Sequence, residues 1–203
     1  MPALSCELRS WEEMRSLSEA VAKKIAGSGF RPDYIVAIVR GGMMPAMNLS
    51  DILGVYDVLT LRVRHWGATA VKNKKAVLDV PLIANIAGKK ILLVDDLTDT
   101  GDSIKLALAH LKSLRPVEVR TAVLIHKVSS SVEPDYYAEK EEEWKWVIFP
   151  WNLFEDLTAL AEKVIAAEGV SSPQQIRASL KSSFSLDVDL PTLRKVLSRR
   201  SHL

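Results

Sequence analysis

The sequence lacks most of the features that mark secreted or membrane proteins. Cys6 is the single cysteine among 203 residues, which excludes an intramolecular disulfide framework and leads us to expect a reducing, cytoplasmic setting. No secretory signal pattern stands at the N-terminus, and no apolar run approaches the roughly 18 residues that a membrane-spanning helix needs. We therefore expect neither secretion nor a membrane span.

Strong charge, internal repeats and low-complexity segments are also lacking. The net charge of +2 and the isoelectric point of about 8.6 are too mild to indicate nucleic-acid binding by themselves. Apolar residues make up 48% of the chain, which at this length suffices for one full α/β domain with a small addition. Composition alone indicates a soluble globular protein and no particular function.

The stretch from Ile91 to Ser103 is the most informative part of the chain. Its apolar beginning, Ile91–Val94, precedes two adjacent carboxylates and is typical of a strand that is buried on both faces. A short polar loop follows, and then apolar residues recur at helical spacing from Ile104 to Leu111. Strand, loop and helix in this order predict half of a βαβ unit, with the loop at the sheet edge where α/β proteins bind ligands.

This loop carries groups suited to a sugar phosphate. Thr100 and Ser103 supply hydroxyl donors, and Gly101 permits a positive φ or a close approach of the backbone. The N-terminus of the following helix directs N–H groups and the positive end of its dipole to the same place. Asp95 and Asp96 would repel a phosphate but accept hydrogen bonds from a neighbouring diol. The alternative interpretation is a solvated strand end with an acidic turn.

A second predicted strand, Tyr34–Val39, ends in a similar way. It runs into Arg40-Gly41-Gly42, and a helix is predicted from about Ala46 to Leu53. A Gly-Gly turn alone is a weak signal that also fits plain turn chemistry. If this turn lies beside the first loop at the same edge of a parallel sheet, the two loops could hold two anionic ends of one ligand.

The segment Val94–Ser103 resembles the motif with which type I phosphoribosyltransferases bind 5-phosphoribosyl-1-pyrophosphate (PRPP). The resemblance implies that Asp95 and Asp96 hold the ribose 2′- and 3′-hydroxyls. Asp102 departs from the family pattern, which often has Gly or Lys there, so its carboxylate is expected to point away from the phosphate or to be countered by a cation. The loop implied to wrap the 5′-phosphate consists of Asp99, Thr100, Gly101, Asp102 and Ser103.

The resemblance also assigns the reacting end of the ligand. Arg40 and Gly41 match the family's pyrophosphate loop, in which main-chain N–H groups meet the diphosphate. Asp99 stands at the position of the family's general base, where a carboxylate handles the proton of an imidazole N–H on the purine. Mg²⁺ is the implied cofactor and is expected to arrive on PRPP, so no all-protein metal site is predicted.

A purine is the acceptor that the resemblance implies. The predicted strand Val117–Ile125 delivers Lys127 to the same sheet edge. A lysine there is often simply solvated, but in the 6-oxopurine branch of the family it donates to the purine 6-carbonyl. Trp146 matches a ring that stacks on the purine, and the main chain at Val147 and Ile148 reads the purine edge. Ile148 replaces an acidic residue common in xanthine–guanine enzymes, which favours hypoxanthine and leaves guanine and xanthine open.

The cation-rich segment 62–75 has two interpretations. It fits a solvated surface hairpin, and in the family it corresponds to a flexible hood that closes over the diphosphate and excludes water. The charged run 139–143 is expected to be a solvated surface. His126, the neighbour of Lys127, is expected on the opposite face of its strand.

The predicted fold is α/β: the type I phosphoribosyltransferase fold, a Rossmann-like parallel sheet flanked by helices with a flexible hood, and a small C-terminal helical extension. The predicted domains are a phosphoribosyltransferase core, residues 1–152, and the extension, residues 153–203, in which three short helices are expected. By analogy with relatives we expect a homodimer or homotetramer.

Three functions remain open at this point. The first is a purine-salvage phosphoribosyltransferase, a glycosyltransferase that moves 5-phosphoribosyl from PRPP to a 6-oxopurine and releases pyrophosphate. The second is the same reaction with another base such as adenine. Lys127 disfavours adenine, because a lysine at this position suits a base with a carbonyl. The third is a PRPP-sensing transcriptional regulator, whose C-terminal helices, the last of them basic, would bind nucleic acid.

Overall fold

The computed structural model describes residues 4–65 and 76–199. Most of the predicted hood, residues 66–75, lies outside the described residues. The chain divides into two compact units: Glu12–Glu143, and a second unit that joins the segment up to Trp11 with the segment from Trp144 onward. The predicted domains are consecutive segments that meet at residue 152, and this boundary stays a prediction. The compact units are a different division, because one of them combines the two ends of the chain.

Strands and helices alternate through much of the chain, as the βαβ pattern predicts. The described residues contain these strands: β1 (Cys6–Leu8), β2 (Tyr34–Val39), β3 (Val58–His65), β4 (Ala76–Val80), β5 (Lys90–Thr98), β6 (Glu118–Lys127), β7 (Tyr136–Glu141) and β8 (Trp146–Ile148). They contain these helices: α1 (Trp11–Gly27), α2 (Met43–Leu53), α3 (Asp102–Ser113), α4 (Leu153–Glu168), α5 (Pro173–Phe184) and α6 (Leu190–Arg199). None of the helices in the described ranges is long and apolar enough to cross a membrane.

A six-stranded sheet in the order β4-β3-β2-β5-β6-β7 forms the centre of the Glu12–Glu143 unit. All neighbouring strands in it are parallel except the antiparallel pair β3 and β4. The central strands are buried throughout their apolar runs, Ile35–Ile38 and Ile91–Val94, as expected for strands covered on both faces. β5 continues beyond its apolar run because its ladder with β6 extends to the pair Thr98 and His126. The acidic pair therefore lies in the strand and not in the loop.

The helix after the acidic strand packs one apolar face on this sheet. Ile104, Ala107 and Leu111 of α3 are buried at the predicted helical spacing. They share a core cluster with sheet residues such as Val36 and Leu93. The predicted strand–loop–helix unit from residue 91 onward is therefore confirmed.

α2 begins directly after the Gly-Gly turn. The prediction placed its start near Ala46, whereas the structure starts it at Met43. The carbonyl of Gly42 accepts a hydrogen bond from the Ala46 N–H at 3.0 Å, and the carbonyl of Arg40 accepts one from the Met43 N–H at 3.1 Å. Pro45 does not prevent this, because a proline is tolerated in the first helical turn, where its missing N–H would have no partner. The helix N-terminus therefore follows the strand almost at once.

β7 gives the charged run 139–143 a regular conformation that the sequence does not predict, while its residues remain exposed or half-buried as expected. Residues of this run up to Glu141 form an edge strand that pairs in parallel with β6, where Glu139 lies beside Ile125 and Glu141 beside Lys127. The strand has few apolar residues, and period-two alternation of apolar side chains is the signal by which sequence reveals a strand. Backbone pairing with β6 decided its conformation.

The second unit consists of a two-stranded parallel sheet and three helices. β1 pairs with β8, so that Cys6 lies beside Trp146 and Leu8 beside Ile148. Its helices confirm the three that the sequence predicts after residue 152, and α5 starts at Pro173 behind a capping box made by Ser172. The core comprises these residues: Cys6, Ile148, Leu157, Leu160, Ala161, Val164, Ile176, Leu180, Leu186, Val188, Leu193 and Val196.

Cys6 is a packing residue of the second unit. Burial, reinforced by the negative charge of Asp156, raises the pKa of its thiol to about 11. At neutral pH the thiol is therefore protonated and a poor nucleophile.

Candidate active site

Three parallel strands bring their carboxyl ends to one edge of the six-stranded sheet. β2 leads into Arg40, β5 ends at Thr98, and β6 ends at Lys127. Because β5 lies between β2 and β6, both predicted ligand loops and the predicted base-reading lysine belong to neighbouring strand ends. This is the edge at which α/β sheets hold their ligands.

The acidic pair lies at the end of β5, with its two carboxylates in different environments. Asp95 is only 8% exposed, and its Oδ1 accepts a hydrogen bond from the Asp96 N–H at 3.0 Å. Asp96 is half-buried, and its Oδ1 accepts from the Leu97 N–H at 2.8 Å. Burial and the neighbouring charge of Asp96 hold the pKa of Asp95 well above its usual range, although backbone hydrogen bonds from Asp96 and Gly42 oppose the shift.

The Arg40-Gly41-Gly42 turn lies against this acidic pair. A methyl group added at Gly41 would lie 2.6 Å from Cγ and 2.8 Å from Oδ1 of Asp96. The peptide bond between Val39 and Arg40 is cis, and the Arg40 side chain is exposed. The structure thus brings the predicted pyrophosphate loop into direct contact with the predicted ribose-binding carboxylate.

Gly42 is more tightly enclosed than Gly41, and by backbone atoms. A methyl group at Gly42 would lie 2.8 Å from the carbonyl oxygen of Ile38 and closer still to that of Val94. Neither carbonyl can move freely, since both belong to central strands of the sheet. A side chain at this position would therefore have to displace the sheet.

Gly42→Ala is expected to lower the free energy of unfolding by about 2 kcal/mol, because the added methyl group overpacks a rigid backbone. Urea denaturation followed by fluorescence measures the change. Gly27→Ala is the matched control, since a methyl group there meets nothing within 4 Å. Equal stability of the two variants would contradict the close packing at Gly42.

The predicted 5′-phosphate loop leads into the N-terminus of α3. Gly101 has a φ of 87° and is the N-cap of this helix, so the positive φ that the sequence allows for it is the one adopted. The Thr100 hydroxyl donates to Oδ2 of Asp102 at 3.0 Å, and the Asp102 N–H donates back to the Thr100 hydroxyl at 3.3 Å. Asp102 lies in the first turn of α3, where the helix dipole favours a carboxylate.

The end of β6 carries a buried lysine and a buried histidine. Lys127 is 3% exposed and His126 is 4% exposed. Nδ1 of His126 shares a hydrogen bond of 2.8 Å with the Thr98 hydroxyl, and the His126 ring lies 5.0 Å from that of Tyr137. Burial lowers the pKa of His126. The histidine is thus a neutral packing residue, while Lys127 is not the solvated strand-end lysine of the simpler interpretation.

Trp146, Val147 and Ile148 form β8 and belong to the second unit. Nε1 of Trp146 donates to Oδ1 of Asp156 in α4 at 3.2 Å, and its ring packs against the helical core that contains Ile148. Val147 is buried as well. The side chains of β8 therefore serve the packing of this unit, and the purine-binding roles implied for Trp146, Val147 and Ile148 stay predictions.

The tryptophan after β8 has a clear packing role. The Trp151 ring stacks on that of Phe149, with centroids 4.8 Å apart and planes at 6°. It also lies 5.8 Å from the Trp11 ring. Asn152 is the N-cap of α4.

The acidic pair offers the oxygen donors that magnesium prefers. Among residues 4–65 and 76–199, no His, Cys, Asp and Glu side chains are grouped in threes so that they could hold a metal alone. Mg²⁺ is usually bound through one or two carboxylates together with substrate phosphates. Asp95 and Asp96 therefore fit an ion whose remaining ligands come from a bound diphosphate.

A serine turn whose contacts the sequence does not reveal, Ser129–Ser131, follows β6. Its hydroxyls donate to backbone carbonyls of the phosphate loop: Ser129 to Asp99 at 3.2 Å and Ser131 to Thr100 at 2.6 Å. A run of serines after a strand is typical of an ordinary loop, so no local signal pointed to these contacts.

Comparisons with known proteins agree with this architecture. The phosphoribosyl transferase domain family matches residues 7–156. A xanthine-guanine phosphoribosyltransferase of Cereibacter sphaeroides is 30% identical over 150 residues, covering 71% of this chain and 85% of the relative. Another, of a Ruegeria species, is 30% identical over 154 residues, covering 71% and 84%. The crystal structure of a purine phosphoribosyltransferase from Pyrococcus horikoshii has a TM-score of 0.63 and 31% identity over 73% of this chain and 94% of its own.

The matched segment contains the whole six-stranded sheet and its ligand edge, and it ends within α4. Helices α5 and α6 lie beyond it. Since the family matches well over half of the chain, and relatives at 30% identity are covered over most of their length, this chain belongs to the phosphoribosyltransferase family.

Proposed function

We propose that this protein is a purine-salvage phosphoribosyltransferase that transfers 5-phosphoribosyl from PRPP to a 6-oxopurine, giving a nucleoside monophosphate and pyrophosphate. The observation that carries the proposal is the contact between Gly41 and the Asp96 carboxylate. PRPP bears its diphosphate on ribose C1, next to the hydroxyl on C2. On the protein, the proposed diphosphate site at Gly41 lies beside the proposed diol site at Asp96, just as the diphosphate and the C2 hydroxyl are neighbours on PRPP. This match supports PRPP as the ligand.

The reaction exchanges one bond at ribose C1 for another. The bond from C1 to the diphosphate oxygen breaks and a bond from C1 to purine N9 forms, with positive charge on the ribose and negative charge on the leaving group. Arg40 and the backbone N–H groups around Gly41 would stabilise the leaving diphosphate. Asp95 and Asp96 would hold the sugar by accepting hydrogen bonds from its hydroxyls. The proton of the purine imidazole N–H would pass to Asp99.

The 5′-phosphate would lie at the N-terminus of α3, where helix N–H groups favour an anion. Gly101 supports this proposal, since its left-handed conformation turns the chain into the helix at that point. Thr100 and Ser103 would add hydroxyl donors. Asp102 already accepts the Thr100 hydroxyl, so a bound phosphate would share or take over that donor.

The base would be recognised through its 6-carbonyl by Lys127. The position of Lys127 supports this role, since it ends β6 at the same sheet edge as the two predicted ligand loops. The resemblance adds stacking by Trp146 and main-chain contacts at Val147 and Ile148. The Ile148 side chain belongs to the core of the second unit, so the preference for hypoxanthine rests on the resemblance alone, and relatives named as xanthine-guanine enzymes keep guanine and xanthine as candidate substrates.

Lys127→Met is expected to raise the KM for the purine about tenfold while the KM for PRPP changes little. The substitution keeps the apolar stem of the buried side chain but removes a charged hydrogen-bond donor. Initial rates with each substrate varied in turn measure both constants. Lys105→Met on α3 is the control for loss of a lysine. An unchanged purine KM would place Lys127 outside the base site.

Mg²⁺ belongs to the proposal as a companion of PRPP. Asp95 and Asp96, together with oxygens of the substrate, would hold it, and when bound the ion offsets negative charge on the diphosphate. A homodimer or homotetramer and a cytoplasmic location are further parts of the proposal, taken from the family resemblance and from the single cysteine.

The regulator alternative gains no support from the comparisons. Relatives with 30% identity are named as phosphoribosyltransferases that act on bases. In α6, Leu193 and Val196 are part of the core of the second unit, so this helix has a packing role without nucleic acid. An adenine enzyme would have no carbonyl for Lys127 to meet.

Incubation with PRPP, Mg²⁺ and each of hypoxanthine, guanine, xanthine and adenine tests the proposal. We expect pyrophosphate release and nucleotide formation with the 6-oxopurines, fastest with hypoxanthine, and none with adenine. Reactions without a base control for hydrolysis of PRPP. Absence of pyrophosphate release with every base would refute the enzyme proposal.

A further inference from the structure

The serine turn, Ser129–Ser131, contacts the phosphate loop through three hydrogen bonds to its backbone. The Ser129 hydroxyl donates to the carbonyl of Asp99 at 3.2 Å. The carbonyl of Thr100 accepts two bonds, one from the Ser131 N–H at 3.0 Å and one from the Ser131 hydroxyl at 2.6 Å. Two successive carbonyls of the phosphate loop are thus held by one neighbouring turn.

These bonds fix the orientation of two consecutive peptide groups. In a planar trans peptide the C=O and the N–H point in opposite directions. Holding the carbonyl of Asp99 towards the serine turn therefore directs the N–H of Thr100 away from it. In the same way, holding the carbonyl of Thr100 towards the serine turn directs the N–H of Gly101 away from it. Successive N–H groups that face one side, at the start of a helix, form the concave donor set that binds anions.

Gly101 shows how closely the two segments are packed. A methyl group at Gly101 would lie 2.9 Å from the Ser130 hydroxyl, 3.1 Å from the Val132 nitrogen and 3.2 Å from the Ser131 hydroxyl. The side of the phosphate loop that faces the serine turn is therefore filled by protein. A ligand of this loop would therefore lie on the opposite side, to which the two N–H groups point.

We propose that Ser129 and Ser131 are positioning residues of the 5′-phosphate site, which hold the peptides of Asp99–Gly101 so that their N–H groups face the phosphate. This inference rests on the proposed function, because it presumes a phosphate at the N-terminus of α3. It adds a second effect: the Ser129 hydroxyl fixes the backbone of Asp99, the proposed general base. The serine turn also follows Lys127 in the chain, so it connects the end of β6, where the base is proposed to bind, with the phosphate loop.

Ser130 is a matched control within the same turn. Its hydroxyl donates to the carbonyl of Val132 at 2.8 Å and accepts from the Val132 N–H at 3.2 Å. The Ser130 hydroxyl makes none of the three hydrogen bonds that hold the carbonyls of Asp99 and Thr100. Ser130→Ala therefore removes a hydroxyl from this turn without releasing the phosphate loop.

Binding of PRPP, inosine 5′-monophosphate and inosine to the full chain tests the inference. Ser131→Ala, which removes one hydroxyl, is expected to weaken the binding of PRPP and of the monophosphate about fivefold. Ser129→Ala combined with Ser131→Ala, which removes two, is expected to weaken it about tenfold. Inosine, which lacks the 5′-phosphate, is expected to bind all variants equally. Ser131→Thr keeps a hydroxyl and is expected to restore most of the affinity, while Ser130→Ala matches the unmodified protein.

The outcomes separate this inference from the proposed function. If the unmodified protein binds neither PRPP nor the monophosphate, the proposed function fails. If it binds both, and the Ser129 and Ser131 variants bind as tightly as Ser130→Ala, only the positioning role is overturned. A loss of thermal stability without any selective loss of phosphate-bearing ligands would likewise show that the serines serve folding alone.

Discussion

Asp99→Asn is expected to lower kcat by about a hundredfold or more while the KM for PRPP stays within about threefold of its original value. The reason is that asparagine keeps an oxygen acceptor of the same shape but cannot take up a proton at neutral pH. Asp99 immediately follows β5, and its own carbonyl is held by Ser129. The substitution should therefore change the chemistry of the side chain and leave the backbone of the loop in place.

Steady-state rates with hypoxanthine, combined with PRPP binding in the absence of base, separate these two effects. Asp51→Asn makes the same change on α2, where the side chain is 73% exposed, and is expected to leave kcat unchanged. A variant at Asp99 that turns over as fast as the Asp51 control would remove Asp99 from its proposed role. A variant that has lost PRPP affinity as well would make Asp99 a binding residue.

Asp95→Asn is expected to have opposite effects on stability and on activity. Burial and the adjacent Asp96 raise the pKa of Asp95 well above its usual range. An acid whose pKa is higher in the folded chain than in the unfolded chain binds its proton more tightly when folded. The native state then holds more protons, so the free energy of unfolding falls as the pH rises from about 4 through the raised pKa.

Asparagine carries no charge to bury, and its oxygen can still accept the Asp96 N–H. We therefore expect Asp95→Asn to raise the free energy of unfolding at pH 7 and to flatten its decline above pH 4. The KM for PRPP is expected to rise about tenfold or more, because a charged acceptor for a ribose hydroxyl is lost. Both results together would show that stability is given up at this position for binding, as is common at functional sites.

Urea denaturation between pH 4 and 8, together with PRPP kinetics, tests both effects on the same variant. Asp51→Asn again serves as the control, since loss of an exposed ion pair is expected to change stability by no more than about 0.5 kcal/mol. An Asp95 variant that is less stable than the original protein at pH 7 would contradict the raised pKa. Unchanged PRPP kinetics would remove the side chain from the ribose site.

The parts of the site that sequence predicted correctly are those with local causes. The apolar run Ile91–Val94, the glycine at 101 and the helical period of α3 each depend on residues a few positions apart, so their conformations could be predicted without knowing the rest of the chain. The departures arose where pairing with distant segments decided the outcome. β5 is longer than its apolar run because β6 pairs with it to the end. The polar β7 is a strand because β6 supplies its backbone partners.

The interpretation of single residues shows the same division. Asp102 departs from the family pattern of the motif, and the structure shows its carboxylate accepting a hydrogen bond from the Thr100 hydroxyl. Lys127 fits either a solvated or a functional lysine by its sequence context. Its burial excludes the solvated interpretation, and its role in base binding stays a prediction. The bonds from Ser129 and Ser131 to the phosphate loop cross about thirty residues of sequence. Nothing within the serine run itself indicates them.

The sequence alone determined the family and the α/β fold, and it located the two loops to which ligand binding is assigned here. It could do so because short patterns of apolar, glycine and acidic residues reflect neighbouring interactions along the chain. The tertiary structure alone decided that Gly41 lies against Asp96, and that Asp95 is buried strongly enough to raise its pKa. It also decided that a serine turn orients the phosphate loop. These features follow from the order of parallel strands, whose carboxyl ends come from distant parts of the chain and meet only when the sheet has formed.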